Sequence, residues 1–338
     1  MREAQTLLRE LCAKRAKIIV APDRDVDGLA AGVLVMRAIE RLGGQPVIAL
    51  PNKGEHVHTP SMRARLAGLQ ADALIVLDMG SRAGPIVEDL PTIVIDHHDA
   101  REKPDGAIFV SAAGCEPVAP TGLLAYELLS EIVDLQDLGW LALLATHADL
   151  GDHHPFAEEL AVPASQTKKT HVRETISLLN SARRAASYQP ELALEVLLAA
   201  HGPEDIARRK LDGVAALEAC REEVKAEVAR VARVAPKVVG DVALIRFTSG
   251  AQIHPLIATR WAGRLAPKVV LVANDGYLPG RVNFALRSAS KRDLLGFLRD
   301  LPLGRVEGEF ANGHPRATGG SIPPHEFDRM LGVLGFQR

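Results

Sequence analysis

The chain has 338 residues, 47% of them hydrophobic, and a formal charge of −2. That length suits two domains, and the near-neutral charge excludes a protein that is basic throughout, so nucleic-acid binding would have to come from a local patch. The absence of a run of about eighteen apolar residues excludes a membrane-spanning helix, and three widely spaced cysteines, Cys12, Cys115 and Cys220, exclude a disulfide framework and predict a reducing cytoplasm.

The N-terminus, Met1-Arg2-Glu3-Ala4-Gln5, is charged, reads as helical and lacks the apolar core of a signal peptide. Lys17-Ile18-Ile19-Val20-Ala21 is a short β-branched run that predicts a strand. Gly28 to Leu42 has helical spacing and stops at Gly43-Gly44. Pro46 to Leu50 predicts a strand, Ser61 to Leu69 a helix, and Ala73 to Leu77 and Thr92 to Ile95 two further buried strands. Continuous apolar strands alternating with helices predict a mostly parallel sheet covered on both faces. Beyond Pro155 the pattern turns helical over Glu158–Asn180, Pro190–His201 and Pro203–Ala235. A second alternating unit follows. It has strand signals at Val238–Phe247, Lys268–Val272 and Arg281–Leu286, and helix signals at His254–Leu265, Lys291–Leu301 and Pro324–Leu334. Gly304 to Gly320 reads as glycine-rich and irregular. The predicted architecture is α/β: a catalytic domain over residues 1–185, a helical connector over 186–236 and a smaller α/β domain over 237–338, with the active site in the cleft between domains.

Four clusters of Asp and His each follow an apolar run: Asp23-Arg24-Asp25-Val26-Asp27-Gly28, Leu77-Asp78-Met79-Gly80, Ile95-Asp96-His97-His98 and Thr146-His147-Ala148-Asp149-Leu150-Gly151-Asp152. In parallel sheets ligands gather beyond the carboxyl ends of strands, and Asp23, Asp78 and Asp96 all fall there. An unpaired carboxylate in that setting is costly, and a bound divalent ion removes the cost. Asp23, Asp25 and Asp27 alternate at a spacing of two, which in an extended strand end puts all three on one side; capping a helix needs only one of them. Asp78 alone fits a turn former equally well. A His at a strand end beside a carboxylate has the makings of a metal ligand with its orienting partner. In the fourth cluster Asp149 is the favoured ligand, with Asp152 in reserve, because Asp152-His153-His154 precedes Pro155 and reads as a loop. The expectation is four acidic ends converging on one sheet edge as a polynuclear metal site.

This set, Asp25-x-Asp27-Gly28, Asp78, Asp96-His97-His98 and Asp149, resembles the motifs of the DHH phosphoesterase superfamily. Phe284-Ala285-Leu286-Arg287-Ser288 resembles that family's strand ending in Arg-Ser. Asn312-Gly313-His314-Pro315-Arg316-Ala317-Thr318-Gly319-Gly320 resembles its Gly-Gly-His-x-x-Ala-x-Gly loop, with Ala311-Asn312 replacing glycines. The pairing is similar to the RecJ and nanoRNase branch, and the likeness runs over nearly the whole chain with the motifs in order.

The resemblance implies two Mn²⁺ ions, with Mg²⁺ as an alternative, since a mixed imidazole and carboxylate shell suits Mn²⁺ better. It gives Asp23, Asp25 and Asp78 to one ion and Asp27, Asp78, His97 and Asp149 to the other. Asp96 is expected to orient His97, and His98 to contact the scissile phosphate or assist the leaving group. Arg287, Ser288, Gly313, His314 and Arg316 are expected to bind substrate. The amides of Pro120-Thr121-Gly122 are expected either to cap a helix or to meet a phosphate. His56 and His58 either face the cleft or lie in solvent. The implied activity is hydrolysis of single-stranded DNA or RNA, or of short oligonucleotides, from an end; a homodimer is compatible with it. Two other readings are a small-nucleotide hydrolase acting on phosphoadenosine phosphate or a cyclic dinucleotide, and a non-catalytic nucleic-acid-binding protein.

Overall fold

The computed structural model describes residues 1–80, 82–98 and 102–336, without the side chains of Asn312 and His314. The chain divides into two compact units. One comprises Met1–Arg183 with Gln189–Glu218, the other Arg184–Tyr188 with Ala219–Arg338. Residues 186–236 are thus shared between the units.

The first unit runs α1 (Arg2–Ala13), β1 (Lys17–Pro22), α2 (Val26–Arg41), β2 (Gln45–Ile48), α3 (Pro60–Gly68), β3 (Ala73–Leu77), β4 (Thr92–Asp96) and β5 (Ile108–Ser111). The helices α4 (Thr121–Ser130), α5 (Gly139–Leu150), α6 (Ala161–Ser165), α7 (Lys169–Arg184), α8 (Pro190–Ala199) and α9 (Pro203–Ala207) follow, and α10 (Val214–Val231) continues into the second unit. The five strands form one sheet in the order β2-β1-β3-β4-β5, every neighbouring pair parallel. The chain goes from β1 to one side for β2 and then to the other side of β1 for β3, so the order reverses between β1 and β3. That crevice is where a parallel sheet leaves room for a ligand.

Alternate strand residues serve opposite faces. Ile18, Val20, Ile75, Leu77, Ile93 and Ile95 pack with α1, α2 and α4, while Ile19, Ala21, Leu74, Val76 and Val94 pack with Met62 and Leu66 of α3. Each fully buried Ile, Leu or Val contributes about 1.5–3 kcal/mol of burial free energy. A further helical layer of α5, α7 and α8 packs on α2 through Leu29, Val33, Leu141, Leu144, Leu178 and Leu197.

In the second unit β6 (Lys237–Val239), β7 (Val242–Phe247), α11 (His254–Ala262), β8 (Val269–Asn274), β9 (Val282–Arg287), α12 (Leu294–Arg299), β10 (Glu309–His314), β11 (Ala317–Ile322) and α13 (Pro324–Val333) build a six-stranded sheet, order β10-β11-β9-β8-β7-β6. Only β7 and β8 pair in parallel.

Several local expectations change. Gly304–Gly320 is not irregular: its second half is the β10–β11 hairpin. Its glycines are there because backbone crowds them. A Cβ at Gly319 would lie 2.2 Å from the Phe284 carbonyl oxygen, and one at Gly313, whose φ is +109°, 2.5 Å from that of Ala317. The helical pattern over 203–235 breaks between α9 and α10, where Arg209 and Gly213 take positive φ. The pattern over 158–180 breaks between α6 and α7. β5 gives almost no sequence signal because it is a four-residue edge strand with one buried side chain.

Gly319→Ala is expected to destabilise the second unit by about 1–3 kcal/mol, the usual cost of forcing an atom into filled space. The check is a urea melt followed at Trp261; an unchanged midpoint would mean that the hairpin shifts freely.

Candidate metal centre

Three adjacent strands deliver the acids. The Asp23 amide donates to Leu77 O at 2.9 Å, and the Asp78 amide to Ile95 O at 3.1 Å. The residues following β1 and β3 are therefore clipped to the neighbouring strand, with Asp96 ending β4. Asp25 then caps α2, its Oδ1 3.3 Å from the Gly28 amide. Asp27 lies within the first helical turn, so the extended i, i+2 alternation expected for Asp23, Asp25 and Asp27 does not hold. Helix entry turns Asp27 inward, to 3% exposure, and leaves Asp23 and Asp25 half-buried. Asp78 adopts φ +62°, a left-handed conformation that costs a non-glycine residue about 1 kcal/mol or more.

The buried carboxylates are held by α4. The amides of its first two residues, Thr121 and Gly122, donate to Asp27 Oδ2 at 2.9 Å and Oδ1 at 2.7 Å. The Thr121 hydroxyl donates to Asp78 Oδ1 at 3.0 Å. The sequence suggested these amides as a simple cap or a phosphate site; they are taken by Asp27 instead. A Cβ at Gly122 would stand 2.5 Å from the Ala145 Cβ and 3.1 Å from Asp27 Oδ1, so only glycine allows α2, α4 and α5 to meet here. Pattern reading missed Thr121 as a site residue. The glycine beside it, opening an apolar helix, was the available signal.

His97 projects into this cluster. Its Nε2 lies 3.3 Å from Asp78 Oδ1 and 3.9 Å from Asp27 Oδ2, and its Nδ1 3.8 Å from Asp149 Oδ2. Asp149 sits in the last turn of α5, not at a strand end as the three other motifs suggested. Asp152 is held elsewhere, against His147 Nδ1 at 3.2 Å and by Arg173. The Asp96 side chain hydrogen-bonds the His98 ring. Its Oδ1 accepts the His97 and His98 amides at 2.7 and 3.0 Å and the His98 Nδ1–H at 2.8 Å. The orienting carboxylate thus serves His98. Asp96 Oδ2 is buried and has no hydrogen-bond partner among the described residues. Asp78, His97 and His98 each offer a ligand atom within 4.8 Å of one another. The His97 imidazole with the buried carboxylates Asp27 and Asp78 is a donor set that fits a divalent transition ion. His56 and His58 are half-buried and committed, His56 Nε2 to Met79 O and His58 Nε2 to the Arg82 amide.

In the second unit Arg287 ends β9 and faces Ala317 of β11, which in turn faces His314 of β10. Arg287 is half-buried, its Nη1 donates to Leu286 O at 2.8 Å, and burial pushes its pKa below the usual arginine value. Ser288 bonds Lys268 O and Ser290. Gly313 and Arg316 are exposed, and the His314 side chain lies outside the described residues.

Residues 17–150 match the family model described as the DHH family, N-terminal domain. The chain therefore carries a DHH-family domain in this segment, which is less than half of its length. It is RecJ-like: it is 25% identical over 155 residues to the single-stranded-DNA-specific exonuclease RecJ of Dickeya dadantii, and 24% identical over 197 residues to that of Bacillus subtilis. Those segments make up 41% and 53% of this chain but only 27% and 25% of the two relatives. The fold is that of RecJ in complex with Mn²⁺ from Thermus thermophilus, at TM-score 0.74 and 19% identity over 98% of this chain and 53% of that one. An exonuclease RecJ bound to manganese superposes at TM-score 0.68 and 18% identity, over 98% of this chain and 92% of that one.

Electrostatics in the DHH domain follow from burial. Burial raises the Asp27 pKa to about 7, with His97 opposing and Asp25 and Asp149 reinforcing the rise. Burial, then Asp27 and Asp25, push Asp78 well above the carboxylate range. Burial would lower the His98 pKa, but the hydrogen bond to Asp96 and the charge of Asp78 outweigh it and lift it to about 9. Asp96 is the reverse case: burial raises it, and His98 brings it below the ordinary value.

For Asp27 the folded pKa lies above the unfolded one. Between about pH 4 and about pH 7 the metal-free folded state binds the extra proton, so this group's contribution to stability falls as pH rises. A divalent ion needs the carboxylate and must displace that proton. Mn²⁺ affinity is therefore expected to rise with pH up to about 7 and to be accompanied by proton release. Calorimetry in buffers of different ionisation enthalpy measures both, and pH-independent binding without proton release would contradict it.

Proposed function

We propose that the DHH domain is a divalent-metal-dependent phosphodiesterase that cuts single-stranded nucleic acid or short oligonucleotides from an end, with Mn²⁺ as the preferred ion. The observation that carries this reading is the convergence of the buried Asp27, Asp78 and His97 with the exposed Asp149 beyond the sheet's carboxyl edge, with a charged His98 beside them. Asp23, Asp25 and Asp78 would hold one ion, and Asp27, Asp78, His97 and Asp149 a second. Such ions supply charge neutralisation for the phosphoryl group and activation of water.

The chain's own groups do the rest. Thr121 and Gly122 fix the Asp27 carboxylate, and the Thr121 hydroxyl fixes Asp78, so the acids are positioned before any substrate arrives. His98 gives its Nδ1–H to Asp96, and its protonated ring would act as a donor toward a phosphate or leaving-group oxygen. In the second unit the row Arg287–Ala317–His314 offers a guanidinium that, among the described residues, pairs with no carboxylate and is suited to bidentate contact with a substrate phosphate. The single-stranded-DNA-specific exonucleases named RecJ among its relatives favour a strand substrate over a free nucleotide.

The test is product analysis with Mn²⁺ on end-labelled DNA and RNA oligomers of several lengths, beside phosphoadenosine phosphate and cyclic dinucleotides. Stepwise mononucleotide release from single strands is expected, and Asp78→Asn should lower turnover at least about a hundredfold by removing a ligand shared between two ions. Cleavage confined to small nucleotides would replace the strand substrate with a nucleotide one. No turnover with metal verified in the protein would sink the catalytic reading.

A further inference from the structure

Helix α7 touches the metal centre's surroundings at both ends. Arg173, in its second turn, meets Asp152 just beyond α5. Arg183, near its end, places Nη2 3.6 Å from Asp25 Oδ2. Ten residues separate the two arginines, about 15 Å of helix.

Arg183 is a fixed cation. Its side chain is 17% exposed, and its Nε donates at 3.0 Å to Oδ1 of Asn180, a buried residue one turn earlier on the same helix. The helix is anchored in the first unit's core by Val172, Leu178, Leu179 and Ala182. The other Asp25 oxygen accepts from Gly28, so the carboxylate is held between a helix N-terminus and a guanidinium.

A guanidinium and a divalent ion sharing one carboxylate repel each other. Arg183 therefore opposes ion binding at Asp25 unless an anion joins the two cations. A phosphate does this: two of its oxygens fit the planar N–H edge of arginine, while the others remain for the metal side. We propose that Arg183 is a substrate-phosphate contact of the DHH domain, presented by α7 beside Asp25. The inference rests on the phosphodiesterase reading above. It adds to that reading a cation from the first unit, separate from Arg287 in the second.

The test uses the full chain and the variants Arg183→Met and Arg183→Lys, with folding verified by thermal melt. Mn²⁺ is titrated first by calorimetry; adenosine 5′- and 3′-monophosphate are then titrated into the Mn²⁺-saturated protein. Arg183→Met is expected to bind Mn²⁺ no more weakly than the unmodified protein and to lose about tenfold or more in affinity for at least one monophosphate, as loss of a charge-assisted pair implies. Arg183→Lys, which keeps the charge without the fork, should fall between them; if the Met variant does not fold, the Lys variant decides by the same criterion. Weakened Mn²⁺ binding in the variant would make Arg183 a mere support for Asp25 and overturn the inference, as would unchanged monophosphate affinity. Unmodified protein that binds no Mn²⁺ would instead fail the metal reading, and the inference would fall with it.

Discussion

The site depends on one interaction: the Asp27 carboxylate lying across the first two amides of α4. Burying a carboxylate without partners costs several kcal/mol, and this unit buries Asp27, Asp78 and Asp96 within a few residues of one sheet edge. A helix N-terminus offers unpaired N–H groups and a partial positive charge, so it can accept an acid that would otherwise have to stay in water. Thr121 extends the same support to Asp78 through its hydroxyl. Gly122 permits the approach, because any side chain there would occupy the space of the Ala145 methyl and the Asp27 oxygen. The packing of α4 against α2 and α5 is therefore a condition for the acids' geometry as much as a part of the hydrophobic core.

Sheet topology explains why this support is needed at that place. Strand order reverses between β1 and β3, which opens a crevice at their carboxyl ends. Asp23 and Asp78 are pinned to adjacent strands by backbone hydrogen bonds, and Asp96 closes the row on β4. The sheet gives the site a rigid floor. Its remaining members come from helix ends: Asp25 and Asp27 from the start of α2, and Asp149 from the finish of α5.

The parallel sheet was legible in the chain because its strands are continuous apolar runs, which only burial on both faces tolerates. The Asp and His clusters were legible for the same reason, as polar breaks at the ends of those runs. The helical setting of Asp27 and Asp149 was hidden. Spacing of two does not distinguish a strand end from a cap followed by a helical turn, and Leu141-Ala142-Leu143-Leu144 is apolar on every side because α5 is buried within the helical layer. The partner of Asp96 was hidden too: adjacency in sequence pointed to the His97 ring, whereas the side-chain contact goes to His98. Thr121 and Gly122 lie between 43 and 95 residues from the acids they touch, and Arg183 lies further still from Asp25; no local pattern carries contacts of that separation. The hairpin glycines misled in the opposite sense, since a glycine required by backbone crowding reads the same as one that breaks structure.

Two opposite protonation tendencies coexist within a few ångströms. Asp96 and His98 form a charged pair, each stabilising the other's ionised form. Asp27 and Asp78 are pushed the other way, toward the neutral acid, because burial and mutual repulsion outweigh the cation beside them. A proton on either of those two acids relieves the repulsion between them and Asp25. A divalent ion held by these carboxylates would give the same relief with a fixed double charge and would displace the protons. His98 would stay outside that exchange, because its Nδ1–H is bonded to Asp96. Among the described residues, the group proposed above as the proton donor is thereby kept charged near neutral pH by a carboxylate to which the proposed metal shell gives no part.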